Sequence, residues 1–130
     1  MTWCRIEVDG RPVYGLVEGS EIAAVDAPPW EPHKRTGARV PLAGAKLLHP
    51  VEPPNFYAAG LNYGPHIDWC NGHHGTKFAV PKQADIGYRS ANALIGSGAE
   101  VILPRDSAGS FEYEGELAVV VGRKTRNISA

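Results

Sequence analysis

Two turn signals in the first twenty-five residues, Asp9-Gly10 and Gly19, cut the start of the chain into apolar runs of strand length. Residues 2 to 8 read as a strand, residues 12 to 18 as its return, and the run after Gly19 as a third strand ending near Val25. Together they make a small antiparallel meander. From Ala27 to about Pro54 proline is frequent and no hydrophobic period survives, which suits a connector with at most a short helical turn. A boundary near residue 50 follows, separating a small β domain with its proline-rich connector (1–50) from the remainder (51–130).

In that remainder the apolar run from Phe56 to Leu61 reads as a buried strand and Asn62 through Pro65 as the loop after it. Residues 69 to 80 hold glycines and polar groups without a period, as a mobile loop does. "IGYRSANALIG" and "EVILP" read as two further strands, and an exposed turn then leads into an acidic strand at residues 111 to 121. The class is mainly β with minor α. A chain of 130 residues has room for one domain, or for a small domain and part of another.

Lys and Arg number 13 against 14 Asp and Glu, so no basic field invites nucleic acid. No stretch approaches the ~20 apolar residues of a membrane span, and no export signal opens the chain, so a cytoplasmic protein without a membrane partner is expected. Cys4 and Cys70 are then expected as reduced thiols. Ser129 would cap a helix that has no room to follow, and the apolar run 117–121 has no later strand to pair with. Both features suggest the front part of something longer.

Glu112, Glu114 and Glu116 alternate directly before that run, and on a strand they would line one face at ~6.5 Å intervals. At the mouth of a buried strand, desolvation and mutual repulsion would raise their pKa values unless a cation compensated. Hard divalent ions take carboxylate oxygens, which makes a metal the natural counter-charge. The same alternation also suits a solvated edge, although there the charges would continue to alternate instead of giving way to "LAVVVG". His66 follows the strand that begins at Phe56, in a loop position suited to proton transfer near neutral pH, or to a purely structural hydrogen bond. His33, His49, His73 and His74 form no ligand spacing and receive no role.

In order, "GLNYGPH", "ALIGSGAEVILP" and "YEGELAVVVGRKTRNIS" resemble the fumarylacetoacetate hydrolase family over about residues 50 to 130. The resemblance implies the first part of that family's mixed β roll behind a variable N-terminal domain. It implies Glu114 and Glu116 as two of three carboxylate ligands of Mg²⁺, Mn²⁺ or Ca²⁺, with the third beyond residue 130, and does not count Glu112. His66 matches the catalytic-loop histidine, Asn62 and Tyr63 would line the pocket or serve only to close the loop, and the loop from Gly64 to about Val80 would close as a lid. Arg89 stands where many members carry lysine; it would grip an acidic substrate in two-point fashion, or pair with Glu112. Trp69 stands where many carry a glutamate, with Asp68 one place earlier. The implied activity is metal-dependent carbon–carbon hydrolysis of a β-dicarbonyl or 2-oxo acid through a metal-stabilised enolate, by a homodimer when complete. Decarboxylation, isomerisation or hydration on the same scaffold is the alternative, and a non-catalytic binding domain is a third reading.

Overall fold

Strands β1 (Thr2–Val8), β2 (Arg11–Glu18) and β3 (Glu21–Val25) form the meander expected from the turn residues. Asp9 and Gly10 both adopt positive φ, 50° and 73°, the pair that a two-residue type I′ hairpin turn requires. Gly19, at φ 63°, begins the next two-residue turn. The computed structural model describes residues 1–107, 109 and 111–129. It is mainly β, with antiparallel sheets, and divides into two units: residues 1–50 with the chain from Gly96 onward, and Val51–Ile95.

The core of the first unit is built from Ile6, Leu16, Ile22, Ala23, Ala24 and Val25. Gly15 sits between Cys4 and Ala24 in the register, and a Cβ there would collide with the Ile22 side chain. Only glycine lets the strands close over a fully buried isoleucine. Arg5 is 4% exposed, its guanidinium 5.9 Å from the centre of the Tyr14 ring, so its charge is received by an aromatic face. The Cys4 thiol, whose Sγ lies 3.7 Å from the Gly15 carbonyl oxygen, has its pKa raised by burial. Both cysteines are free.

The expected connector is instead folded onto this sheet. Strand β4 (Arg35–Pro41) pairs antiparallel with β3, setting Ile22 opposite Val40, with an irregularity between Ala23 and Val25. Only Val40 of its seven residues is even half-buried, so no alternation marked it in the sequence. Side chains hold it where apolar burial does not. Arg35 and Arg39 both reach Glu18, and Arg39 reaches Glu21 at 3.1 Å. Trp30 packs edge-on to Tyr14 at 5.7 Å and His33 edge-on to Trp3 at 4.8 Å, pinning the proline-rich turn. On the opposite edge the Glu7 amide donates to the Lys46 carbonyl at 3.0 Å and the Leu48 amide to the Arg5 carbonyl at 2.8 Å. The chain thus passes from beyond β3 to beyond β1 between Pro41 and Lys46, which can span at most roughly 18 Å. Four strand spacings in a flat sheet need roughly 19 Å. The sheet must coil to let its two edges be joined.

In the second unit β5 (Phe56–Gly60) pairs antiparallel with β6 (Asp85–Arg89), and helix α1 (Gly64–His74) lies between them in sequence. The helix replaces the first part of the loop expected at residues 69–80. Pro65 is tolerated in its first turn, Gly75 ends it in the left-handed conformation, and His73 and His74 occupy its last turn, where the helix dipole favours cations. Ile67 is its only buried residue, which is why no hydrophobic period announced it. "IGYRSANALIG" shortens to β6, followed by a 3-10 turn at Ala91–Ala93 whose Ser90 side chain accepts from the Asn92 amide. "EVILP" and the acidic segment from Phe111 carry no strand among the described residues; Val119 is 82% and Leu117 83% exposed. A strand needs a neighbouring ladder, and none of the six described strands pairs with either segment. No described helix is long and apolar enough to cross a membrane.

Adding one methyl group at the tightest point, Gly15→Ala, is expected to cost about 1–3 kcal/mol in urea unfolding, because backbone and Ile22 must both shift. Hydrogen bonds from Arg35, with its charge and that of Arg39, hold the Glu18 carboxyl below its ordinary value of 4.5. A depressed folded pKa gives stability that is present above the unfolded value and lost as pH falls through the folded one. Protection of the β4 amides, corrected for intrinsic exchange, should therefore decline beneath pH 4.5 in the wild type, whereas Glu18→Gln should show the low-pH protection throughout.

Candidate functional site

At the end of β5 the backbone leaves the extended region at Leu61, whose φ of 48° is left-handed and unusual for a branched residue. Asn62 follows, and Tyr63 stands at the helix N-cap with extended dihedrals. The amides of His66 and Ile67 both donate to the Tyr63 carbonyl, at 3.0 and 3.1 Å, so the first turn is fixed as soon as the strand ends. Ile67, 2% exposed, anchors that turn. His66 is consequently half-buried on a helix rather than carried on a loop.

Helical geometry decides which groups can serve the imidazole. Residues three or four apart share a face; residues two apart are turned about 200° from one another. Trp69 and Cys70 lie on the side of His66, while Asp68 points elsewhere. The rings of His66 and Trp69 are 6.2 Å apart. Trp69 in turn stacks on His73, with centroids 4.9 Å apart and planes at 12°, and His74 meets it edge-on at 5.2 Å. This is a continuous aromatic and imidazole side of the helix, with no carboxylate three or four residues after His66.

The segment after the helix is tied back by Asn71. Its Oδ1 accepts from the Phe78 amide at 2.8 Å and from the Thr76 hydroxyl at 2.9 Å, and its Nδ2 donates to the Phe78 carbonyl at 2.9 Å. One side chain therefore replaces both backbone partners of Phe78. Beyond it, residues 80–84 return beside residues 60–62 and enclose an open hollow of about 120 Å³.

Among the site residues expected from sequence, Asn62, Tyr63 and His66 are brought together at this junction. Arg89 is not with them. The register sets Arg89 opposite Phe56 and Asp85 opposite Gly60, so the Arg89 backbone stands at the far end of the hairpin, roughly 13 Å of strand away, with its Nη1 turned back beside Gly87. Its Nη1 donates to the Tyr88 carbonyl at 3.2 Å. Beside it in the register, Tyr57 donates to the Tyr88 hydroxyl at 3.0 Å, and that bond raises the Tyr57 pKa. Glu114 and Glu116 belong to the first unit, exposed, in a stretch without regular structure.

Residues 55–130 match the family model described as fumarylacetoacetate (FAA) hydrolase, C-terminal. The chain belongs to the fumarylacetoacetate hydrolase family. Residues 1–50 match a second model, described as Rv2993c-like, N-terminal. The Mycobacterium tuberculosis protein Rv2993c is 32% identical over 125 residues, covering 95% of this chain and 43% of its own. A human protein named oxaloacetate tautomerase FAHD2A, mitochondrial, is 34% identical over 92 residues, covering 70% of this chain and 27% of its own. A solved structure from Mycobacterium abscessus superposes with a TM-score of 0.64 at 24% identity, covering 82% of this chain and 40% of that one, a likeness of fold. The chain thus spans less than half the length of each of these proteins.

A divalent cation is the group that the fumarylacetoacetate hydrolase resemblance implies, and the donors of Glu114 and Glu116 suit it in kind: hard carboxylate oxygens at positions i and i+2. Among the described residues no three His, Cys, Asp or Glu side chains converge as metal ligands. The pair is a partial donor set.

Asn71 was not legible beforehand, because an asparagine inside a polar stretch reads equally as loop or cap. Asn71→Ala leaves the Phe78 amide and carbonyl without their partner. The Phe78 amide is expected to exchange about tenfold faster in hydrogen-exchange NMR, while the β2 amides are unchanged.

Proposed function

We propose that the protein acts on a 2-oxo or β-dicarbonyl acid and that its reaction is proton transfer, interconverting enol and keto forms. One observation carries the choice: the two helical positions that share the face of His66, Trp69 and Cys70, carry no carboxylate. Hydrolysis asks for a water deprotonated by a base that a further group orients. Tautomerisation asks only that a proton leave the enol oxygen and that one be delivered to carbon, with no water consumed. A single positioned imidazole can take and return that proton near neutral pH.

In this reading Glu114 and Glu116 hold part of the coordination shell of a Mg²⁺, Mn²⁺ or Ca²⁺ ion, which when bound supplies Lewis-acid polarisation of the substrate's oxygens. The rest is done by the chain itself. Helix α1 sets His66 directly after β5 with the Trp69 ring beside it, and Asn62 offers an amide at the substrate's edge. The names of the human relatives support the reaction type. Carbon–carbon hydrolysis is the second reading, favoured by the description of the matching family model; the base's orienting carboxylate would then come from outside α1.

The test is a pair of assays on the whole protein with Mg²⁺ or Mn²⁺: enol-to-keto conversion of oxaloacetate followed in the ultraviolet, and hydrolysis of an acylpyruvate. Tautomerisation should dominate. His66→Gln should lower its kcat by about a hundredfold to ten-thousandfold, and Glu114→Gln with Glu116→Gln should abolish the dependence on added metal. Faster hydrolysis than tautomerisation, with His66→Gln impairing it, would hand the assignment to the second reading.

A further inference from the structure

The hollow beside the end of β5 has a composition that matches one end of the proposed substrate. Its walls are residues 60–62 and 80–84, and its volume is about 120 Å³. At roughly 30 Å³ per water, that accommodates the head of a small acid, and it is well short of the ~300 Å³ at which whole-ligand pockets begin. Lys82 is the one charged residue in the lining, between the amide side chains of Asn62 and Gln83. It makes no ion pair among the described residues, unlike Lys46, whose ammonium is spent on Glu7. Asp85 lies next to the lining, its carboxylate against Gly60, and likewise forms no ion pair with Lys82. The wall is made by turning Leu61 into the left-handed region, a strained conformation for a branched side chain of the kind found at functional sites.

Position matters as much as composition. The β5–β6 register sends Arg89 to the Phe56 end of the hairpin, whereas the hollow opens at the Gly60 end, from which the chain runs directly into the first turn of α1 and His66. The Arg89 guanidinium lies beside Gly87, part-way along the hairpin, whereas Lys82 is itself part of the hollow's lining.

We propose that the hollow is the carboxylate subsite of the substrate, with the Lys82 ammonium as counter-charge and the Asn62 and Gln83 amides as neutral donors. The inference rests on the 2-oxo acid reading above and adds a residue to it. A lysine on a flexible stem acts as a point charge, so recognition here depends on the charge of the acid and only loosely on its geometry.

The experiment uses the whole protein and reads binding and turnover separately. In ¹H–¹⁵N spectra, pyruvate should shift the amides of residues 60–62 and 82–84, and pyruvamide, which lacks the charge, should not. Lys82→Gln should remove the response and raise KM for oxaloacetate by about 10- to 100-fold with kcat within about threefold, as expected for a lost charge-assisted contact. Lys82→Arg should restore most of the affinity. Lys77→Gln, the same charge change a few residues earlier, should leave KM unaltered. Unchanged KM and an unchanged pyruvate response in Lys82→Gln, with tautomerisation intact, would overturn the subsite and leave the proposed function standing. Lys82-dependent pyruvate binding by a protein that turns over no 2-oxo acid would keep the subsite and sink the proposed function.

Discussion

The antiparallel register of β5 and β6, with Gly60 opposite Asp85 and Phe56 opposite Arg89, fixes both ends of the excursion from residue 61 to residue 84. Every feature of the second unit's site hangs from those two anchor points. Strand side chains alternate with a period of two, so a slip of one residue would turn each over and move the hollow's two walls past one another. The cross-strand Tyr57–Tyr88 pair, in ring contact at 4.6 Å as well as hydroxyl contact, gives the register a side-chain signature beyond its backbone ladder.

The two units are stabilised differently. The first holds a dry cluster of Leu16, Ala23 and Val25 under Trp3 and Tyr14, with Ile6 and Ile22 wholly inaccessible. Within Val51–Ile95 only Ile67 is buried, and order comes from directional contacts: the Asn71 clamp, the tyrosine pair, the stacked Trp69 and His73. Apolar area stabilises broadly, whereas hydrogen bonds at an exposed site contribute about 1 kcal/mol each and break one at a time. The region bearing His66 therefore belongs at the low end of the local-stability scale, which suits a segment that must admit a ligand.

The parts legible in the sequence are those written in local chemistry. Asp9-Gly10 and Gly19 specify turns through φ alone, and the strands on either side came out within a residue of their expected bounds. Strand β4 was hidden, since ion pairs to Glu18 and Glu21 hold it and these depend on partners distant in sequence. Helix α1 was hidden for a related reason: one buried residue makes no period, and its end signals, Pro65 in the first turn and Gly75 at the C-cap, read equally well as loop residues. At the site, Asn62, Tyr63 and His66 were recognised as a contiguous motif, and contiguity brought them together. Arg89 was grouped with them from family order, and strand register separates it; Lys82 carries no motif and is found only where the chain folds back.

The return of residues 46–48 to the outer edge of β1 has an evolutionary consequence. With Glu7 and Arg5 bonded to Lys46 and Leu48, and β4 on the other side, strands β1, β2 and β3 are each paired on both edges by partners from the first fifty residues. A segment whose inner strands find their partners within itself can be exchanged, duplicated or lost by recombination without leaving its neighbour's strands unmatched. The separate family models for residues 1–50 and 55–130 meet in sequence just after this pairing ends at Leu48.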